Sequence, residues 1–185
     1  VFLCDFDGVI NPHYVPKSRE DGELTNPIVD TRTAFPLRRE EERVSNYDFF
    51  FPDELLQEID GMVLDGTLHF FWLSLRGWEP ESLNNLMRLK SQPAWIDGAY
   101  FGQQDHGLKE AAMREIMEAA PAGTPFVWVD DVATDSLVTE MAGFIADTCY
   151  AVVNGSTVLV IRPEPNKGIT RSHWKAIKKF VESYS

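Results

Sequence analysis

The chain has 185 residues, 44% of them hydrophobic and 25% charged, with a formal net charge of −12. These proportions belong to an ordinary globular protein, one domain by length and large enough to bury a core without staples. The acidic balance excludes an extended nucleic-acid-binding surface, and no apolar run reaches the ~20 residues that cross a bilayer.

Residues 1–4 read as an apolar strand running directly into an acidic motif, so this start is expected to be a core segment of a trimmed chain, not a signal peptide. A charge-rich stretch follows from about residue 11 to 46, broken by Pro12, Pro16, Pro27 and Pro36. Its weak periodicity predicts an inserted loop or hairpin outside the core. After Pro52, the apolar residues Leu55, Leu56, Ile59, Met62 and Val63 recur at helical spacing, with Asp53 and Glu54 in the first turn and Gly66 past the end. Residues 68–73 read as a strand. Pro80 opens a second helix with Leu83, Leu86, Met87 and Leu89 on one side. Residues 94–96 form a short strand, and Leu108, Ala112 and Ile116 mark a helix that stops near Pro121.

The continuous apolar run 126–129 predicts a strand buried on both faces. Residues 137–144 read as helix. Residues 151–153 and 157–161 read as strands split by the Asn154-Gly155 turn. The last helix begins near Thr170 and buries Trp174, Ile177, Phe180 and Val181. Alternating strands and helices predict an α/β chain with a mainly parallel sheet. Cys4 and Cys149 both sit in apolar runs, which predicts buried reduced thiols in a cytoplasmic protein.

Four features fall at the ends of these elements, where the loops of a doubly wound sheet converge. Asp5 and Asp7, two residues apart with Gly8 after them, are costly to bury unless a cation offsets them, and magnesium prefers such oxygen ligands. Taken alone, an Asp-x-Asp-Gly is equally a solvated turn. Asp130 and Asp131 follow the buried strand, with Asp135 beyond; such a pair could complete a metal site or simply cap a helix. Ser74 ends the strand 68–73, and Lys109 lies in the first helical turn, where the helix dipole disfavours it. An exposed lysine and a chance serine would look the same singly. The agreement of all four in order and context separates the readings.

In that order the chain resembles the haloacid dehalogenase superfamily: an apolar strand then DxDGx, a strand then Ser, a Lys at a helix start, and a strand then paired acids. The likeness spans residues 1 to about 162. More narrowly, DFDGVINP (5–12), FFWLS (70–74), GLKEAAMREI (107–116), FVWVDD (126–131) and IRPEPNKGIT (161–170) look like the phosphatase-type domain of Swiss Army Knife RNA repair proteins. The chain departs from that group after Ser74, where Leu75 and Arg76 stand in place of Thr and Trp, with Trp78 further on.

The resemblance implies a Rossmann-like three-layer sandwich, a single domain over residues 1–185 with a small cap or hairpin inserted at 11–51. It implies Asp5 as the nucleophile that becomes an aspartyl-phosphate, and Asp7 as the acid that protonates the leaving oxygen and then activates water. Magnesium would be held by Asp5, the Asp7 backbone carbonyl and Asp131, supported by Asp130 and Asp135. Ser74 and Lys109 would hold the phosphoryl oxygens. The implied activity is phosphomonoester hydrolysis on a phosphorylated small molecule, a nucleotide or a nucleic-acid 3′ end, with no membrane partner. A phosphoacceptor or interaction domain on the same fold is the alternative. Arg32, Arg38, Arg39 and Arg43 either touch substrate phosphates or pair with Glu40, Glu41 and Glu42 on a solvated face. Arg162 and Lys167 either reach the crevice or terminate the sheet. Trp78 is the candidate for stacking on a base; the other tryptophans are expected in the core.

Overall fold

The computed structural model describes residues 1–13, 32–41, 48–74, 80–96, 106–132 and 147–184. Its centre is a six-stranded sheet built from β1 (Phe2–Cys4), β4 (Phe70–Trp72), β5 (Ala94–Trp95), β6 (Phe126–Val129), β7 (Thr148–Val153) and β8 (Ser156–Ile161). The order is β5-β4-β1-β6-β8-β7, parallel throughout except for the β7–β8 hairpin at the edge. A parallel sheet is covered on both faces, which is why β1 and β6 are unbroken apolar runs with every residue buried. The helix expected over 137–144 lies outside the described residues.

Helices cover the two faces. On one side Leu55, Leu56 and Ile59 of α1 (Asp53–Leu64), Leu83 of α2 (Pro80–Leu86) and Trp174, Ile177 and Phe180 of α4 (Arg171–Glu182) join Phe2, Cys4, Val127 and Val129 in one cluster. On the other, Ala112, Met113 and Met117 of α3 (His106–Ala119) pack with Leu3, Trp128, Val158 and Val160. The alternation of strand side chains therefore sorts the sequence into two apolar layers, each large aliphatic or aromatic burial stabilising the fold by about 1.5–3 kcal/mol. Trp72, Trp128 and Trp174 lie in these layers, and Trp95 packs at their margin, as expected of core tryptophans. Cys4 is buried, whereas Cys149 is only half-buried; neither is in a disulfide.

Local chemistry sets the boundaries. Thr170 caps α4: its hydroxyl accepts from His173 N–H at 3.4 Å while His173 Nδ1 accepts from Thr170 N–H at 3.2 Å. The second helix is shorter than its apolar spacing suggests. Leu89 N–H donates to the Asn84 carbonyl at 2.8 Å and Arg88 N–H to the Asn85 carbonyl at 3.0 Å, which closes α2 with a Schellman turn. Arg88 takes the left-handed position of that turn, at φ 61°, where glycine is usual.

The stretch expected to lie outside the core contributes to it. β2 (Arg38–Glu41) and β3 (Asp48–Phe51) form an antiparallel pair, and Phe49 and Phe51 stack at 5.8 Å with both rings buried. Those rings lie 6.0 and 6.2 Å from Phe6 in the first acidic motif, so the hairpin is anchored to the loop that carries Asp5 and Asp7. Phe35 is buried as well. Arg38 is a staple: Nε donates to both Asp53 oxygens at 3.0 and 2.8 Å, and its other nitrogens reach Glu40 and the Leu86 carbonyl. It anchors the hairpin to the start of α1 and the end of α2, with its charge set against Asp53 and Glu40. Arg43 and Glu42 lie outside the described residues; Arg32 is exposed and Arg39 half-buried.

Candidate active site

Strand register brings the acidic motifs together. Cys4 pairs with Trp72 on one side and with Val129 on the other, so Asp5 emerges between the ends of β4 and β6. The ladder continues one step further, with Asp5 N–H donating to the Val129 carbonyl at 2.9 Å and Leu73 N–H to the Cys4 carbonyl at 2.9 Å. Asp5, Ser74 and Asp130 are therefore neighbours in space although 125 positions separate the first from the last. All three side chains are buried.

Lys109 joins them from the other layer. From α3 it projects its ammonium to the carboxyl ends of the central strands β1 and β6, 2.5 Å from Asp5 Oδ2 and 2.8 Å from Asp130 Oδ2, and is itself only 3% exposed. Phe6 N–H donates to Asp5 Oδ1 at 2.7 Å, and the Ser74 hydroxyl also hydrogen-bonds to the Asp5 carboxylate. The unfavourable position of Lys109 in the first turn of its helix is offset by this pair of carboxylates.

Charge in the cluster is unbalanced. Oxygens of Asp5, Asp130 and Asp131 lie within 4.8 Å of one another, and among the described residues Lys109 is the ammonium that bridges two of them. Burial, followed by the nearby Asp130 charge, pushes the Asp5 carboxyl up to about 7 against the pull of Lys109 and Ser74. Burial and Asp130 raise Asp131 as well. Burial works against the Lys109 ammonium, yet Asp5 and Asp130 together hold it above its usual value. A second cation would relieve this excess, and an all-oxygen donor set suits a hard divalent ion.

The two neighbouring acids have different surroundings. Asp130 uses one oxygen for Lys109 and accepts Val132 N–H at 2.9 Å on the other, so its carboxylate is spent on holding the site together. Asp131 turns its carboxylate onto Gly8. A β-carbon built on Gly8 would lie 2.7 Å from Asp131 Cγ, and Gly8 also sits at φ 72°, so both space and backbone demand glycine here. The Asp131 carboxylate consequently lies against Gly8. Arg162 donates from Nε to the Asp131 carbonyl at 3.2 Å, which fixes the loop beyond β6.

Asp7 stands apart from the carboxylate cluster. It is half-buried, and its Oδ1 accepts from Asn11 Nδ2 at 3.0 Å. The structure thus gathers Asp5, Ser74, Lys109, Asp130 and Asp131, with Asp7 beside them. Asp135 and Trp78 lie outside the described residues. Lys167 is exposed and pairs with Glu164 at 2.8 Å, in the turn that ends the sheet. Two residues were given no role from the sequence: Asn11, within the run 5–12 and buried between Asp7 and the hairpin, and His13, an exposed residue close enough to act electrostatically on Asp131.

No protein-family model matches the chain, and no curated protein or solved structure does either. No helix among the described residues is long and apolar enough to cross a membrane.

Proposed function

We propose that this chain is a magnesium-dependent phosphomonoester hydrolase of the haloacid dehalogenase type, working through an aspartyl-phosphate. The observation that carries the reading is the set of contacts around Asp5. A buried carboxylate at a strand end has an ammonium 2.5 Å from one oxygen and a backbone N–H 2.7 Å from the other, with Ser74 and two further carboxylates beside it.

Each residue then has a task. An Asp5 oxygen forms a bond to phosphorus as the bond to the leaving oxygen breaks, and Asp7 gives that oxygen its proton. Asp7 next accepts a proton from water as the water attacks phosphorus, which frees Asp5 and releases phosphate. Lys109 and Ser74 hold the phosphoryl oxygens, where negative charge spreads in the transition state; a positioned group of this kind typically contributes about 10²–10³ in rate. Asp5, Asp131 and the Asp7 carbonyl would hold a magnesium ion, which supplies positive charge against carboxylate and phosphoryl oxygens. Asp130 orients Lys109, and the pair β2–β3 is the described part of a small cap.

The substrate class is a phosphorylated small molecule, a nucleotide or a nucleic-acid 3′ end; the net charge of −12 argues for an end or a monomer over an extended strand. Two free cysteines suit the reducing cytoplasm. The test is release of phosphate from p-nitrophenyl phosphate, nucleotides and 3′-phosphorylated oligonucleotides, with magnesium and with chelator. Turnover should require magnesium and vanish in Asp5→Asn; turnover that survives the substitution would remove Asp5 from the role.

A further inference from the structure

We infer that Asn11 is a positioning residue for the acid: its side-chain amide sets the rotamer of Asp7. This inference rests on the reading of Asp7 as general acid and base, and it assigns a role to a residue outside the acidic and lysine motifs.

Asn11 is held from every direction. It is 7% exposed, its N–H donates to the Phe6 carbonyl at 2.9 Å, and its own carbonyl accepts Gly8 N–H at 2.9 Å. The loop from residue 6 to 11 is thereby closed on itself. Its side chain then spans two elements. Asn11 Oδ1 accepts from Phe50 N–H in β3 at 3.0 Å, and Nδ2 donates to Asp7 Oδ1 at 3.0 Å. The orientation of the amide is determined, because a backbone N–H can only donate: the oxygen must face Phe50 and the NH₂ must face Asp7.

Asp7 Oδ1 accepts the Asn11 amide N–H, and this bond fixes the carboxyl group relative to the loop and the hairpin. Geometry of proton transfer is decided within hydrogen-bond reach, so a carboxyl free to rotate loses much of its efficiency. If Asn11 served only to tie the hairpin to the loop, its loss would slow every substrate alike.

The experiment compares wild-type protein, Asn11→Leu, Asn11→Asp and Asp7→Asn with magnesium on two substrates. p-Nitrophenyl phosphate has a leaving group that needs little protonation, and glycerol 2-phosphate one that needs a proton. Asn11→Leu removes both hydrogen bonds; Asn11→Asp keeps an acceptor for Phe50 and turns the donor into a carboxylate oxygen that repels Asp7, and the melting temperature of each variant identifies any loss of fold. Both Asn11 variants should lose about 10²-fold in kcat/KM on glycerol 2-phosphate, within the range of a general acid, and far less on the aryl ester. In an Asp7→Asn background the Asn11 change should add less than about twofold, because the two residues act as one unit. Equal losses on both substrates, or a full additional loss in the Asp7→Asn background, would overturn the assignment. A wild-type protein inert on both substrates, and on nucleotides and 3′-phosphorylated oligonucleotides as well, would instead refute the hydrolase reading, and this inference with it.

Discussion

Adding magnesium to the chelated protein, and repeating the addition with Asp131→Asn, probes the unbalanced charge of the site. Three buried carboxylates approach within 4.8 Å, and Lys109 bridges two of them. A divalent ion bound only by the folded state stabilises it by about 2.7 kcal/mol at a hundred times its dissociation constant. For a chain of this length each kcal/mol moves the melting temperature by about 2–4 °C, so saturating magnesium should raise it by roughly 5–10 °C. The pH dependence has a definite sign. The unfolded Asp5 carboxyl releases its proton near the ordinary value of 3.8, the folded one near 7, so between those values the folded state binds the extra proton. Stability without metal therefore falls as pH rises through that window, and the magnesium effect grows, because the ion replaces the proton. Differential scanning fluorimetry from pH 5 to 8 reads both trends. Asp131→Asn should retain little of the magnesium shift. An unchanged shift in that variant, or an equal shift with potassium at matched ionic strength, would refute the argument.

Lys109→Ala leaves Asp5 and Asp130 buried without their shared ammonium and should destabilise the metal-free protein by about 3–5 kcal/mol, measured by urea titration. In the same variant, phosphatase kcat should fall by about two to three orders of magnitude, read with saturating magnesium. Arg88→Gly relieves a left-handed residue at the end of α2 and should stabilise by about 1 kcal/mol, seen as a higher urea midpoint with unchanged slope.

Much of the sheet was legible because its strands are buried on both faces. Residues 126–129 form a continuous apolar run, and a run of that length with an acidic pair after it has few other readings. The Asn154-Gly155 turn and the threonine before α4 carry their own local chemistry, so they too could be read directly. The hairpin was harder. Phe49, Phe50 and Phe51 close a segment dominated by charge, and whether they enter the core depends on Phe6, more than forty positions away. The early stop of α2 escaped detection since an arginine occupies the turn position where glycine would have marked it. Within the site, motif order identified Asp5, Ser74, Lys109, Asp130 and Asp131 as neighbours. The resemblance implied Asp131 as ligand and Asp130 as support, and the contacts of Lys109, Val132 and Gly8 show how differently the two carboxylates are surrounded. Asn11 stood in the run 5–12 without a role for a related reason: its partners are Asp7 and a backbone N–H on β3, and a bond across 39 positions leaves no periodicity.

The most direct measurement of the proposed chemistry is to capture the phosphorylated enzyme. Asp7→Asn, which slows release of the acyl phosphate, is mixed with a ³²P-labelled aryl phosphate and magnesium, quenched in acid and digested for peptide mapping. Label on the peptide that contains Asp5, stable in acid and released by hydroxylamine, is the predicted result. Labelling of another residue, or undiminished labelling in the Asp5→Asn double variant, would contradict the assignment of Asp5 as nucleophile.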